Sequence, residues 1–218
     1  MNNNSVWIAT IDPGKKNFAF IIMEIDMEKF HKINFVKKDD RYNDDGTHTE
    51  DFKQNIIEIC KNSKIILWQN LDITAGSKKY FDEKILYELT NVLDKYVEYW
   101  NKCSYIVIEE QMSFGTKHNT MAIKIAQHCQ SYFIFNYYRF KNIVMFPSYH
   151  KTKVLGALKG ITKPQRKKWS VEFVKELINY FEETEQVKDF KKLKKKDDES
   201  DCMLMVYAFL IKTIKSNK

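Results

Sequence analysis

An α/β domain built on one mixed sheet with helices on both faces is the fold class this sequence predicts, and three observations predict it. Residues 6–12, 17–25 and 32–37 read as successive strands rich in Val, Ile and Phe; helical and extended patterns alternate from about 51 to 146; beyond 149 the pattern is helical. Pro13-Gly14 and a short charged break separate the first three strands, which predicts three antiparallel strands followed by parallel ones. Segment 39–51 (DDRYNDDGTHTED) holds six acids and one arginine and reads as a solvated loop, an insertion in the pattern. A helix near 51–61 and a strand at 64–70 follow. A long helix at 79–100 repeats Ile85, Leu89, Val92, Leu93, Tyr96 and Trp100 at helical spacing. Next come a strand at 105–109, a helix at 118–139 with Met121, Ile125, Cys129, Tyr132 and Phe133 down one side, and a short strand at 143–146 ended by Pro147-Ser148. Helices are predicted at 149–158, at 164–182 with Pro164 in the first turn and Trp169, Phe173, Leu177 and Phe181 on one face, and at 198–213. No repeat or linker divides the chain, so residues 1–218 are read as one domain.

Composition narrows the function classes. Lys and Arg number 36 against 29 Asp and Glu, a net charge of +7 with a pI near 9.0, which favours a polyanionic partner. Cys60, Cys103, Cys129 and Cys202 are scattered through apolar stretches without a C-x-x-C, as reduced core thiols are. The histidines form no zinc-finger pairing with them. No signal peptide is expected, and the longest apolar run, 202–211, falls short of the ~20 residues of a membrane span. An intracellular, reducing location without a membrane is the expectation.

Four carboxylates stand where apolar neighbours are expected. Asp12 closes the apolar run 6–11, Glu109 closes 105–108, and Asp198 and Asp201, three apart on one helical face, open the apolar run 202–211. Ionised carboxylates ~4 Å apart repel by about 4 kcal/mol at an effective dielectric near 20, so such a cluster protonates or holds a cation, and a hard ion such as Mg²⁺ suits oxygen donors. Each residue also has a plainer reading. Asp12-Pro13-Gly14 is ordinary turn chemistry, Glu109-Glu110-Gln111 suits a strand emerging into water, and Asp197, Asp198 and Ser200 suit a helix N-terminus.

IDPGKKNFAF, VIEEQ and KKDDESDCMLM together resemble the three acidic motifs of the RuvC-type Holliday junction resolvases, a branch of the RNase H-like superfamily; the poxviral and mitochondrial version is nearest in flavour. The resemblance spans about residues 6–212. It implies an RNase H-like sheet and a homodimeric endonuclease that resolves four-way DNA junctions by paired symmetric cuts, in recombination and repair. It implies that Asp12, Glu109, Asp198 and Asp201 hold two Mg²⁺ ions, with Mn²⁺ able to substitute: one activates water, the other stabilises the leaving 3′-oxygen. The family's lysine falls on Lys151, with Lys153 a second candidate, to stabilise charge on the scissile phosphate. Residues 151–168 carry Lys151, Lys153, Lys159, Lys163, Arg166, Lys167 and Lys168 with no acid, and 188–196 carry six lysines and one aspartate; Lys153, Lys163, Arg166 and Lys167 are read as phosphate contacts. Phe114, in the aperiodic stretch 111–119, either wedges against unstacked bases or folds onto the core. The helix at 118–139 is the candidate dimer contact. A Lys-, Asn- and Ile-rich composition suits an AT-rich genome, hence a viral factory in the cytoplasm or, following the mitochondrial members, a mitochondrion. Other RNase H-like nucleases, an actin-like phosphotransferase and a non-catalytic basic DNA-binding protein stand as alternatives; the last two leave the glycine-poor sequence or the carboxylates unexplained.

Overall fold

The structure, a computed structural model, describes residues 4–80, 82–111 and 119–214. Strands β1 (Ser5–Asp12) and β2 (Phe18–Asp26) form a hairpin with Asp12 opposite Ala19. In its turn Gly14 approaches the chain so closely that a Cβ there would collide with the Asn17 carbonyl oxygen. Helix α1 (Met27–Lys32) comes next: Asp26 accepts from the Lys29 N–H at 3.0 Å and caps a helix that buries Phe30. Residues 33–37, most of the third strand that the sequence pattern placed at 32–37, form no strand. Asn55 ties down this segment, accepting from the Val36 N–H and donating to the Asn34 carbonyl.

Helix α2 (Glu50–Lys61) leads to β3 (Ser63–Leu71), which supplies the third antiparallel strand by pairing with β2. Helix α3 (Glu83–Lys95) and the single turn α4 (Val97–Trp100) replace one long helix. The break at Tyr96 lets Trp100 pack on Phe20 at 5.0 Å and donate its indole N–H to the Leu93 carbonyl at 2.7 Å. Strand β4 (Cys103–Glu110), helix α5 (Thr120–Tyr137) and strand β5 (Asn142–Pro147) follow, then α6 (Tyr149–Val154), α7 (Lys163–Leu177), α8 (Glu185–Lys192) and α9 (Asp197–Phe209). Pro164 lies in the first turn of α7, and Gln165 accepts from the Thr162 N–H at 2.8 Å. Helix α8 has no counterpart among the sequence-predicted elements.

The sheet order is β3-β2-β1-β4-β5, antiparallel on the β3 side of β1 and parallel on the β5 side. One face packs on α3, α4 and α5 through Ile85, Leu89, Trp100, Ile125 and Phe133. The other is covered by α9, flanked by α1, α2, α7 and α8. The sequence pattern predicts one buried face for α9, but residues 202–209 are all buried, because the helix lies between the sheet and the outer helices. Thr10 donates to the Cys202 carbonyl at 2.7 Å and joins β1 to α9. All four cysteines are free and buried.

The acidic segment 39–51 is more than a solvated connector. Tyr42 donates to the Val154 carbonyl at 2.8 Å, the His48 N–H to the Gly156 carbonyl, and Lys159 to the carbonyls of Asp44 and Asp45, so the loop buttresses the end of α6. Gly156 makes this approach possible: its φ is +78°, and a Cβ there would collide with the His48 backbone nitrogen.

Candidate active site

A single row across the sheet positions the site. Asp12 ends β1; Ala19 lies opposite it on β2 and Asn70 opposite Ala19 on β3. On the other side Ile11 pairs with Ile108, which brings Glu109 beside Asp12, and Phe146 lies opposite Glu109. Strand alternation places Asp12, Asn70 and Glu109 on the face that α9 covers, where Ile8, Trp68 and Val107 also pack. The N-terminal turns of α9 cross above this row and lower Asp201 onto it.

Lys151, from α6, completes the cluster. Its Nζ donates to Glu109 Oε1 at 2.9 Å and to Asp201 Oδ2 at 2.7 Å, with both partners and the lysine largely buried. Burial works to lower the ammonium's pKa, but attraction from Glu109, Asp201 and Asp12 outweighs it and holds the pKa well above the usual lysine range. One ammonium does not neutralise three carboxylates. Burial, then the adjacent Glu109, pushes Asp12 well above the ordinary carboxylate range; burial also raises Asp201 despite Lys151 beside it. These oxygen donors fit a hard divalent cation, since Asp12 is costly to ionise without one. In this arrangement no three histidine, cysteine or carboxylate side chains among the described residues stand at ligand spacing; Lys151 is the cation between Glu109 and Asp201.

Asp198 stands outside this hydrogen-bonded group. Lys195 binds it and also reaches Asp197 at 3.3 Å, and Asn17, with its amide turned to suit its neighbours, accepts from the same Nζ at 3.1 Å. Asp197 is further paired with Lys167. No side chain caps α9, whose N-cap residue is Lys196, but Asp197 and Asp198 lie in its first turn, where the helix dipole favours acids.

The basic residues converge on the same place. Glu109, Lys151 and Asp201 line a cleft of about 330 Å³ together with Lys163, Arg166 and Lys167 from the start of α7. Lys153 lies next door, lining a hollow of about 510 Å³ that shares Arg166. An acidic floor with a basic wall can hold a cation and a phosphodiester at once.

Known proteins resemble this chain in sequence and in fold. Uncharacterized protein 170L of Invertebrate iridescent virus 6 is 30% identical, over 95% of this chain and 91% of its own length. The chain belongs to this iridescent-virus family. Protein 97L of Invertebrate iridescent virus 3, also uncharacterized, is 27% identical over 93% of the chain and 98% of its own length. No protein-family model matches. Among solved structures, the fowlpox virus Holliday junction resolvase is similar at a TM-score of 0.52 and 14% identity, covering 94% of this chain and 99% of that one. Thermus thermophilus RuvC is similar at 0.52 and 10%, covering 94% and 96%, and the same protein in complex with Holliday junction substrate at 0.51 and 10%, covering 95% and 96%. The iridescent-virus family member described here thus has the RuvC-type resolvase fold, within the RNase H-like class that its motifs resemble.

Phe114 lies outside the described residues. His150 pairs with Lys212 and packs its ring on Tyr149. Residues that sequence reasoning passed over are Ser170, which lines the cleft beside Asp201, Asn70 in the same sheet row as Asp12, and Glu199 of α9, hydrogen-bonded to Asn70 at 2.8 Å. Period-two spacing of Asn70 from Trp68 was the available signal for the strand residue. Glu199 carried none, because it sits in an acidic run at a helix start.

Proposed function

We propose that this protein is a divalent-metal-dependent endonuclease that resolves four-way DNA junctions as a homodimer. The observation that carries the reading is the convergence of Glu109, Asp201 and Lys151, with Asp12 beside them, at a cleft walled by Lys163, Arg166 and Lys167. The resolvase fold agrees with it.

Asp12, Glu109 and Asp201 would hold Mg²⁺, two ions if Asp198 is released from Lys195 to join them, with Mn²⁺ able to substitute. Bound there, the metal would activate water and neutralise charge developing at the phosphate. The chain's own residues do the rest. Lys163, Arg166 and Lys167, with Lys153 beside them, bind backbone phosphates and displace counterions. Lys151, kept charged by its carboxylate neighbours, supplies positive charge at the reacting phosphate. Burial by α9 and the sheet keeps water away from the carboxylates' apolar side, which strengthens each of these interactions.

A second copy would bring a second site. Phe135 and Phe140 are 87% and 81% exposed, and Ile134 and Tyr138 lie open beside them at the end of α5, the helix that the sequence nominates as the dimer contact. Four-way junctions have two-fold symmetry, and a closed dimer presents one site to each of two opposed strands. Relatives from two iridescent viruses suit a role in processing recombination intermediates of a viral genome. The deciding experiment incubates the protein and Mg²⁺ with labelled four-way junction, linear duplex and RNA–DNA hybrid in parallel. Selective cutting of the junction is expected; equal cutting of all three, or of the hybrid alone, overturns the reading.

A further inference from the structure

Beside the acidic cleft lies a second hollow of about 490 Å³, between α7 and the segment 194–196 that leads into α9. Six lysines line it against two acids, Glu172 and Asp197, and both acids are already engaged. Lys168 lies 3.8 Å from Glu172, while Lys167 and Lys195 both pair with Asp197. Lys175 and Lys194, one from each wall, are exposed and have no ion-pair partner among the described residues. A solvated charge run lies open on one face of one element. Here lysines from two segments distant in sequence line one hollow, an arrangement that repels itself and attracts a polyanion. Helix α7 cannot turn them elsewhere, because Phe173, Val174 and Leu177 on its other side are buried in the core.

Position ties the hollow to the cleft. Lys167 lines both, and α7 runs from the cleft's Lys163, Arg166 and Ser170 to the hollow's Lys168 and Lys175. At 1.5 Å per residue, Lys163 and Lys175 are about 18 Å apart along the helix. Each strand of duplex DNA carries a phosphate per ~3.4 Å of axis, so that length matches about five base pairs. A duplex lying along α7 with one phosphate in the cleft therefore brings phosphates about five base pairs further out to Lys175 and Lys194.

We propose that this hollow holds the phosphate backbone of a junction arm about five base pairs out from the acidic cleft, with Lys175 and Lys194 as its contacts. The proposal rests on the nuclease reading for its substrate, but its test does not depend on cutting. Binding of a long-armed four-way junction is measured without divalent metal over a range of salt, and backbone protection is mapped by footprinting. The proteins are wild type, Lys175→Gln combined with Lys194→Gln, and Lys175→Arg combined with Lys194→Arg. The glutamine pair should reduce the slope of log affinity against log salt by about 1.8, two phosphates at about 0.9 each, and should lose protection about five base pairs out along an arm while the protected centre remains. The arginine pair, which keeps both charges, should bind and protect as wild type does. An unchanged slope and footprint in the glutamine pair overturns the proposal. So does a footprint that weakens evenly everywhere, which would make these lysines part of a general positive field, or an arginine pair that fails like the glutamine pair. A glutamine pair that alters sedimentation and leaves the slope intact would also overturn it, assigning the hollow to an acidic surface of a second copy. Charge-dependent arm protection on a junction that Mg²⁺ leaves uncut would sink the nuclease reading and leave the phosphate site standing.

Discussion

Asp12 has the least favourable position of any carboxylate in the cluster, and its energetics are directly measurable. Its pKa is raised in the folded protein above the ordinary 3.8, so between that value and the raised one the native state binds more protons than the unfolded state. Stability of the metal-free protein should therefore fall as pH rises through this window. Asp12→Asn should flatten the dependence and stabilise the metal-free protein at neutral pH, by about 1.4 kcal/mol for every tenfold by which folding tightens proton binding at Asp12, as read by denaturant unfolding. Added Mg²⁺ should reverse the order and stabilise wild type more than the variant. In cleavage, Asp12→Asn, Glu109→Gln, Asp198→Asn and Asp201→Asn are each expected to lose at least about 100-fold in rate while junction binding persists, since each removes ligand charge without adding repulsion toward phosphate. Near wild-type turnover in any one of them removes that residue from the site. For Asp198 this measurement decides between a ligand and a partner held by Lys195.

At the scale of elements, Lys151 depends on a short helix that the rest of the fold props in place. Helix α6 spans only Tyr149–Val154, too short to be stable alone, and the 42–48 loop clasps its end through Tyr42 and His48. Gly156→Ala places a Cβ against the His48 backbone at a φ of +78°; it should cost about 1–3 kcal/mol in a denaturant titration and slow cutting through a displaced Lys151. An unchanged midpoint would mean that the loop does not support the helix. Lys151→Ala removes the ammonium itself, and cleavage of bound junction should slow more than affinity falls. Equal losses would make Lys151 a plain phosphate contact.

For the whole molecule, charge and symmetry govern the outcome. Neutralising Lys163, Arg166 and Lys167 should weaken binding to all junctions alike and reduce the slope of log affinity against log salt by about 0.9 for each phosphate that is no longer neutralised. Paired cutting needs two sites on one particle. A supercoiled plasmid with an extruded cruciform should yield linear DNA from wild type, and Phe135→Asp combined with Phe140→Asp should shift the product to nicked circles as the dimer dissociates. Nicked circles from wild type itself would contradict the resolvase reading.

The sequence alone determined the strand and helix pattern wherever periodicity was strong: β1, β2, β3, β4, β5, α2, α5, α7 and α9 all fall close to their predicted spans. It also determined that Asp12 ends a strand and that Glu109 lies one residue before a strand's end, because a carboxylate closing an apolar run is legible without coordinates. Tertiary structure decided what depends on contact between distant segments. Asn55 tied down residues 34–36 where a third strand was predicted, the packing of Trp100 on Phe20 broke the long helix at Tyr96, and burial on every side erased the single face predicted for α9. It alone placed Lys151 between Glu109 and Asp201, residues 42 and 50 positions away, and bound Asp198 to Lys195. The physical reason is range: local propensity and period act over a turn or a strand, whereas the partner of a buried charge is whichever opposite charge the completed fold brings within a few ångströms.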